Sequence, residues 1–89
     1  MTKLLITALA LEARPFIDRL KLKKDPASQR IPVYRLEETS LAISGTGKLN
    51  AAVATTWLLA REPEPADCLM VNFGICGCVD LTTPIGRLF

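Results

Sequence analysis

The 89-residue sequence contains no histidine, only three cysteines, few aromatic residues and almost no net charge. Each shortage removes a class of function. Zinc asks for about four nitrogen, sulfur or oxygen ligands. Without histidine, Cys76-Gly77-Cys78 is two ligands short, and Cys68 lies at no useful spacing. No metal is therefore expected, and packing of small buried side chains is the preferred reading of the pair. Three cysteines, an odd number in a chain without a signal-peptide cleavage pattern, do not make a disulfide framework. A formal net charge of +2 is too small to argue for nucleic acid or an anionic membrane surface. Lys21, Lys23 and Lys24 read as a solvated helix end, with cations at the negative pole of the dipole. No apolar run approaches a membrane span. The default expectation is a cytoplasmic protein. There is no internal repeat and no low-complexity tract.

What is abundant is apolar side chain, 49% of residues. That predicts a packed core, in one small domain covering residues 1–89. A chain this short leaves much of its surface in water. So much apolar content in it suggests that further protein covers part of it.

Residues 3–9, KLLITAL, form a continuous apolar run, as in a strand covered on both faces. Ala13, Phe16, Ile17 and Leu20 then fall at helical spacing. Pro15 is tolerated in a first turn, which places the helix start near residues 11–14. Residues 25–30 read as a loop. Residues 31–36 and 40–45 read as strands, close enough for a hairpin through Glu37, Glu38 and Thr39. A helix over residues 48–61 follows. Its stretch from Ala51 to Ala60 is apolar nearly all round, so it is expected to be buried on most sides. Residues 68–73 make another buried strand, and Pro84 leads into a last extended segment ending at Phe89. The order β-α-β-β-α-β describes an α/β fold, a mixed sheet flanked by helices. Ligands in such folds gather beyond the carboxyl ends of the strands. Here those ends are residues 9–12, 45–48 and 74–78.

Gly45 and Gly47 followed by Lys48 suggest a nucleotide loop, but the spacing fails. A P-loop needs a glycine at position 42, where Ala42 stands, and a hydroxyl after the lysine, where Leu49 stands. The dinucleotide pattern fails at Asn50. A tight strand-to-helix turn remains, with amides that could face an anion or a ribose.

Three stretches, ITALALEAR (6–14), SGTGKLNAA (44–52) and NFGICGCVD (72–80), change the weight of that loop. In this order they resemble the purine nucleoside phosphorylase and methylthioadenosine/S-adenosylhomocysteine nucleosidase superfamily. The likeness runs over nearly all of the chain, most specifically in GxGKxNAA. It implies the amino-terminal portion of a longer phosphorylase/nucleosidase-like fold, cleavage of a nucleoside N-glycosidic bond, and no cofactor. By this resemblance Glu12 is the catalytic carboxylate that orients and deprotonates an attacking water. Leu9 and Thr46 line the pocket for the ribose 5′ substituent. Gly74, Cys76 and Gly77 form the turn beside base and sugar. Read without the resemblance, Glu12 is a first-turn acid favoured by the helix dipole. Leu9 and Thr46 are then strand-end packing, and the glycines a tight turn.

The departures are specific. The family's turn usually carries a serine for phosphate or water, and Ile75 offers no such side-chain hydrogen bond. This weakens a phosphorylase more than a hydrolase; the futalosine hydrolase subgroup resembles this chain in an apolar residue there. Ala10 and Leu11 stand where relatives carry acids. The family's ribose-binding glutamate and its purine-protonating aspartate match no position here. The implied partner is a small nucleoside, with water or phosphate as nucleophile, and the chain alone is expected not to turn over. The alternative is a catalytically inactive nucleoside-binding or assembly module. A homo-oligomer is expected on either reading, because the last strand would expose an edge.

Overall fold

The computed structural model of the chain describes residues 1–28 and 30–89; the part of the expected loop that falls on Gln29 lies outside them. Among these residues five strands form one mixed sheet in the order β2-β3-β4-β1-β5, with β1 Thr2–Thr7, β2 Lys23–Lys24, β3 Val33–Leu36, β4 Thr39–Ile43 and β5 Cys68–Asn72. Among the described residues two α-helices complete the α/β architecture, α1 Ala10–Leu20 and α2 Lys48–Ala60, with a short 3-10 helix at Pro65–Asp67.

The central strand β1 is parallel to both neighbours, Leu5 pairing with Leu41 on one side and Val71 on the other. Its residues alternate between two cores, which is why its sequence is apolar throughout. Leu4 and Ile6 pack with Val33, Ala42, Ala54 and Leu58 on the α2 side. Leu5 packs with Ala13, Ile17, Leu22 and Leu41 on the α1 side. Each fully buried aliphatic side chain contributes about 1.5–3 kcal/mol, so the sheet is held by two thin cores rather than one thick one.

Five sequence expectations are corrected. The strand β5, expected to be buried, lies at the edge of the sheet and has no fully buried residue, with Leu69 and Asn72 exposed. The helix α1 starts at Ala10, so Pro15 is its sixth residue. The ring forfeits the hydrogen bond to the Leu11 carbonyl, and the tertiary contacts of Ala13 and Ile17 outweigh that loss. A short strand β2 appears where a helix end was expected. It pairs antiparallel with β3, Lys23 opposite Arg35, and leaves both lysines exposed on the sheet edge. The helix α2 buries Ala54 and Leu58 but leaves Leu49 and Val53 exposed, because only one of its sides meets the sheet. Residues 79–89 form turns, with no strand. The hairpin is borne out: Leu36 pairs with Thr39 across a two-residue turn, with Glu37 at φ 54°. No helix among the described residues is long and apolar enough to cross a membrane.

The connection after β1 runs to α1 on one face, and the connection after the adjacent β4 runs to α2 on the other. A crevice opens where adjacent strands send their chains to opposite faces.

Candidate functional site

That crevice holds a hollow of about 300 Å³. It is lined by the loops after all three parallel strands: Ala8 and Glu12 after β1, Ser44, Gly45 and Gly47 after β4, and Asn72 to Ile75 after β5. Backbone hydrogen bonds fix these ends together. Ser44 donates its amide to the Thr7 carbonyl at 2.8 Å, and Gly45 donates to Ala8 at 3.0 Å. Phe73 donates to Ile6 at 3.1 Å. Beside the hollow the rings of Phe16 and Phe73 pack with centroids 4.2 Å apart, tying α1 to the end of β5.

Gly45 and Gly47 have φ of 87° and 92°, a region that side chains other than glycine rarely enter. They turn β4 sharply into α2. The Asn50 side-chain amide closes the turn by donating to the Thr46 carbonyl at 2.8 Å. Lys48 is exposed and does not line the hollow.

Glu12, half-buried, is the acidic centre of the site. Its Oε1 accepts from the Thr7 hydroxyl at 2.9 Å and the Leu9 amide at 3.0 Å. Its Oε2 accepts from the Ile75 amide at 2.8 Å. The contact to Leu9 is half of a capping box, since a glutamate at N3 returns to the amide of the cap residue. The reciprocal half is missing because leucine carries no acceptor. Above all the Ile75 amide, and with it the Thr7 hydroxyl and the Leu9 and Ala8 amides, hold the carboxyl below its ordinary value, against a smaller opposing effect of desolvation. Glu12 is thus an ionised acceptor at neutral pH. No lysine or arginine stands among the described residues that line the hollow.

The residues named from sequence divide. Glu12 and Gly74 meet on the hollow, and they meet closely: a Cβ on Gly74 would stand 2.9 Å from Glu12 Oε2. Leu9 contributes its amide, while its side chain is exposed at the helix cap. Thr46 is exposed, between two lining glycines but not itself lining. Cys76 lines a second, larger hollow of about 990 Å³ between the end of β5 and residues 76–89. Gly77 lines neither. Cys76 and Cys78 are exposed, so the expected buried packing of the pair is corrected. No cluster of three or more possible metal ligands occurs among the described residues.

Sequence reading missed Thr7 and Ser44. Both sit in apolar runs where a lone hydroxyl reads as filler. Thr7 carried one usable signal, a polar side chain in a strand covered on both faces, which must find a partner.

Comparison with protein-family models, with curated proteins and with solved structures gave no significant match.

Proposed function

We propose that this chain carries the nucleophile side of a nucleosidase site, for hydrolysis of the N-glycosidic bond of a purine nucleoside. One observation carries the reading: the Glu12 carboxylate, Gly74 and the Gly45–Gly47 turn, drawn from the three stretches that resemble the nucleosidases, border one hollow at the carboxyl ends of three parallel strands. In the reaction the water oxygen attacks the anomeric carbon as the carbon–nitrogen bond breaks. The bond's electron pair leaves with the base, and the water proton passes to Glu12. Groups that would protonate the departing base are not found in the matching stretches, so base release by these 89 residues alone is not expected.

Charge favours water over phosphate. A doubly charged anion about 5 Å from an ionised carboxylate is disfavoured by roughly 2 kcal/mol even at the dielectric of water, and by more in a partly desolvated site. The hollow's described lining offers no cation to offset that.

A second reading, a nucleoside-binding module without catalysis, also has an observation behind it. Three internal donors make Glu12 a weak base, and the same arrangement would serve as a clasp between α1 and the end of β5.

Titration of the chain with inosine or methylthioadenosine, followed by amide NMR, tests both. The nucleosidase reading expects saturable shifts at Ser44, Gly45, Gly74 and Ile75, weakened several-fold in Glu12→Gln. Shifts at the same amides that ignore Glu12→Gln select the module. No shifts at those amides at millimolar nucleoside dispose of both.

A further inference from the structure

We propose that Thr7 is a positioning residue for Glu12: its hydroxyl, together with the Leu9 amide, occupies Oε1, so that Oε2 beside the Gly74–Ile75 turn is the oxygen that receives the proton of the attacking water. The assignment rests on the nucleosidase reading for its chemistry, but its geometry can be tested without it.

Thr7 is the last residue of the central strand and is fully buried. It cannot drift, because its own carbonyl accepts the Ser44 amide from the neighbouring strand. Its hydroxyl is a buried donor that needs an acceptor, and Glu12 Oε1 at 2.9 Å is that acceptor. A carboxylate has about four lone-pair sites, two on each oxygen. Oε1 receives two donors, Thr7 and Leu9, and is filled. Oε2 receives one, from Ile75, and keeps one site; the Ala8 amide, the weakest of the groups that lower the carboxyl, makes no direct hydrogen bond to either oxygen. Gly74 leaves room on that side, since a Cβ there would stand 2.9 Å from Oε2. The two oxygens are thus unequal: one anchored to the rigid strand and helix cap, the other held by one amide of a loop. A water that donates one hydrogen to the carboxylate has one place to do so. When its O–H bond breaks, the electron pair moves into the new bond to the anomeric carbon and the proton lands on Oε2.

Among the described residues no neighbouring charge does this work. The elements that meet Glu12 bring Thr7 from β1, Ser44 and Gly45 after β4, and Gly74 and Ile75 after β5, none of them charged. The lowering of its carboxyl comes from hydrogen-bond donors throughout.

The test is a carbon-13 NMR titration of the Glu12 carboxyl in the 89-residue chain and in Thr7→Val and Thr7→Ser. Thr7→Val keeps the shape and removes the donor; the carboxyl pKa is expected to rise by roughly half a unit to one unit. Thr7→Ser should bring it back. A Thr7→Val carboxyl that titrates with the wild type overturns the assignment, as does a Thr7→Ser that behaves like Thr7→Val. Should Thr7→Val not fold, the wild-type chain decides. Exchange of the Thr7 hydroxyl hydrogen for deuterium should shift the Glu12 carboxyl carbon, and no isotope shift overturns the contact. If these results hold and no nucleoside binds, the positioning stands and the nucleosidase reading falls.

Discussion

The Ile75 amide lies 2.8 Å from Glu12 Oε2, a hydrogen bond between groups 63 positions apart that joins the loop after β5 to the first turn of α1. It exists because Gly74 has no side chain. A Cβ there would stand 2.9 Å from Oε2, closer than side chains approach, and 3.4 Å from the carboxyl carbon. The carboxylate is pinned on its other oxygen and cannot simply swing away. Gly74→Ala should therefore break the Ile75 contact, raise the Glu12 carboxyl pKa and cost about 1 kcal/mol in urea unfolding, the net worth of one partly exposed hydrogen bond. Gly77→Ala is the control, since nothing stands within 4 Å of the Cβ it would add. Equal effects of the two substitutions would contradict the close approach.

The acid limb of stability should carry the mark of the same carboxyl. Glu12 is held below its ordinary value of 4.5 in the folded chain, chiefly by the Ile75 amide. A group with a depressed folded pKa stabilises the fold above its unfolded pKa and loses that contribution as pH falls through the folded value. Thermal unfolding of the wild type should thus drop below about pH 4.5 more steeply than that of Glu12→Gln. Asp80, also lowered, by the Thr82 hydroxyl and amide, contributes to both curves and cancels in the difference. Parallel curves would mean that Glu12 is not held by these donors.

The sheet was legible where one residue's periodicity decided the outcome. The KLLIT run, the Leu36–Thr39 hairpin and the two glycines before α2 follow from patterning and turn chemistry. What could not be read depends on partners far away in sequence. Lys23 and Lys24 become a strand only because β3 lies beside them. The apolar circumference of α2 says that it can be buried all round, not how much neighbouring protein there is to bury it. At the site, Glu12 and Gly74 were nameable from local stretches. Thr7 and the Ile75 amide were not, because their function lies in a hydrogen bond and not in a motif. Cys76 and Cys78 were misread for a related reason: small, apolar-looking residues after an apolar strand resemble core, and only the turn after Gly74 puts them outside.

The exposure of Cys78 has a chemical consequence. The Thr83 hydroxyl, 3.6 Å from its sulfur, and the Asp80 amide hold its thiol below the ordinary value. Cys68 is pushed the other way, first by burial and then by Glu62 and Asp67. Thiolate is the reacting species. Limiting iodoacetamide at neutral pH should therefore label Cys78 several-fold faster than Cys68, as read by peptide mass spectrometry. Thr83→Val should narrow the gap. Faster labelling of Cys68 would contradict the geometry.

The two edges of the sheet are defended unequally. On one, β2 consists of two exposed lysines, charges that discourage a further strand. On the other, the strand CLMVN carries no charge, and Leu69 is 47% exposed. The helix α2 likewise turns Val53, 52% exposed, to water. An uncharged edge with exposed apolar side chains is a template for pairing. The chain should accordingly associate, with light scattering at micromolar concentration giving a mass above that of one chain. Leu69→Lys places a charge on the bare edge at a position already half in solvent, so it should reduce the mass towards that of one chain without unfolding the protein. A wild-type chain that stays monomeric under those conditions would show that its own turns, residues 76–89, are cover enough for β5.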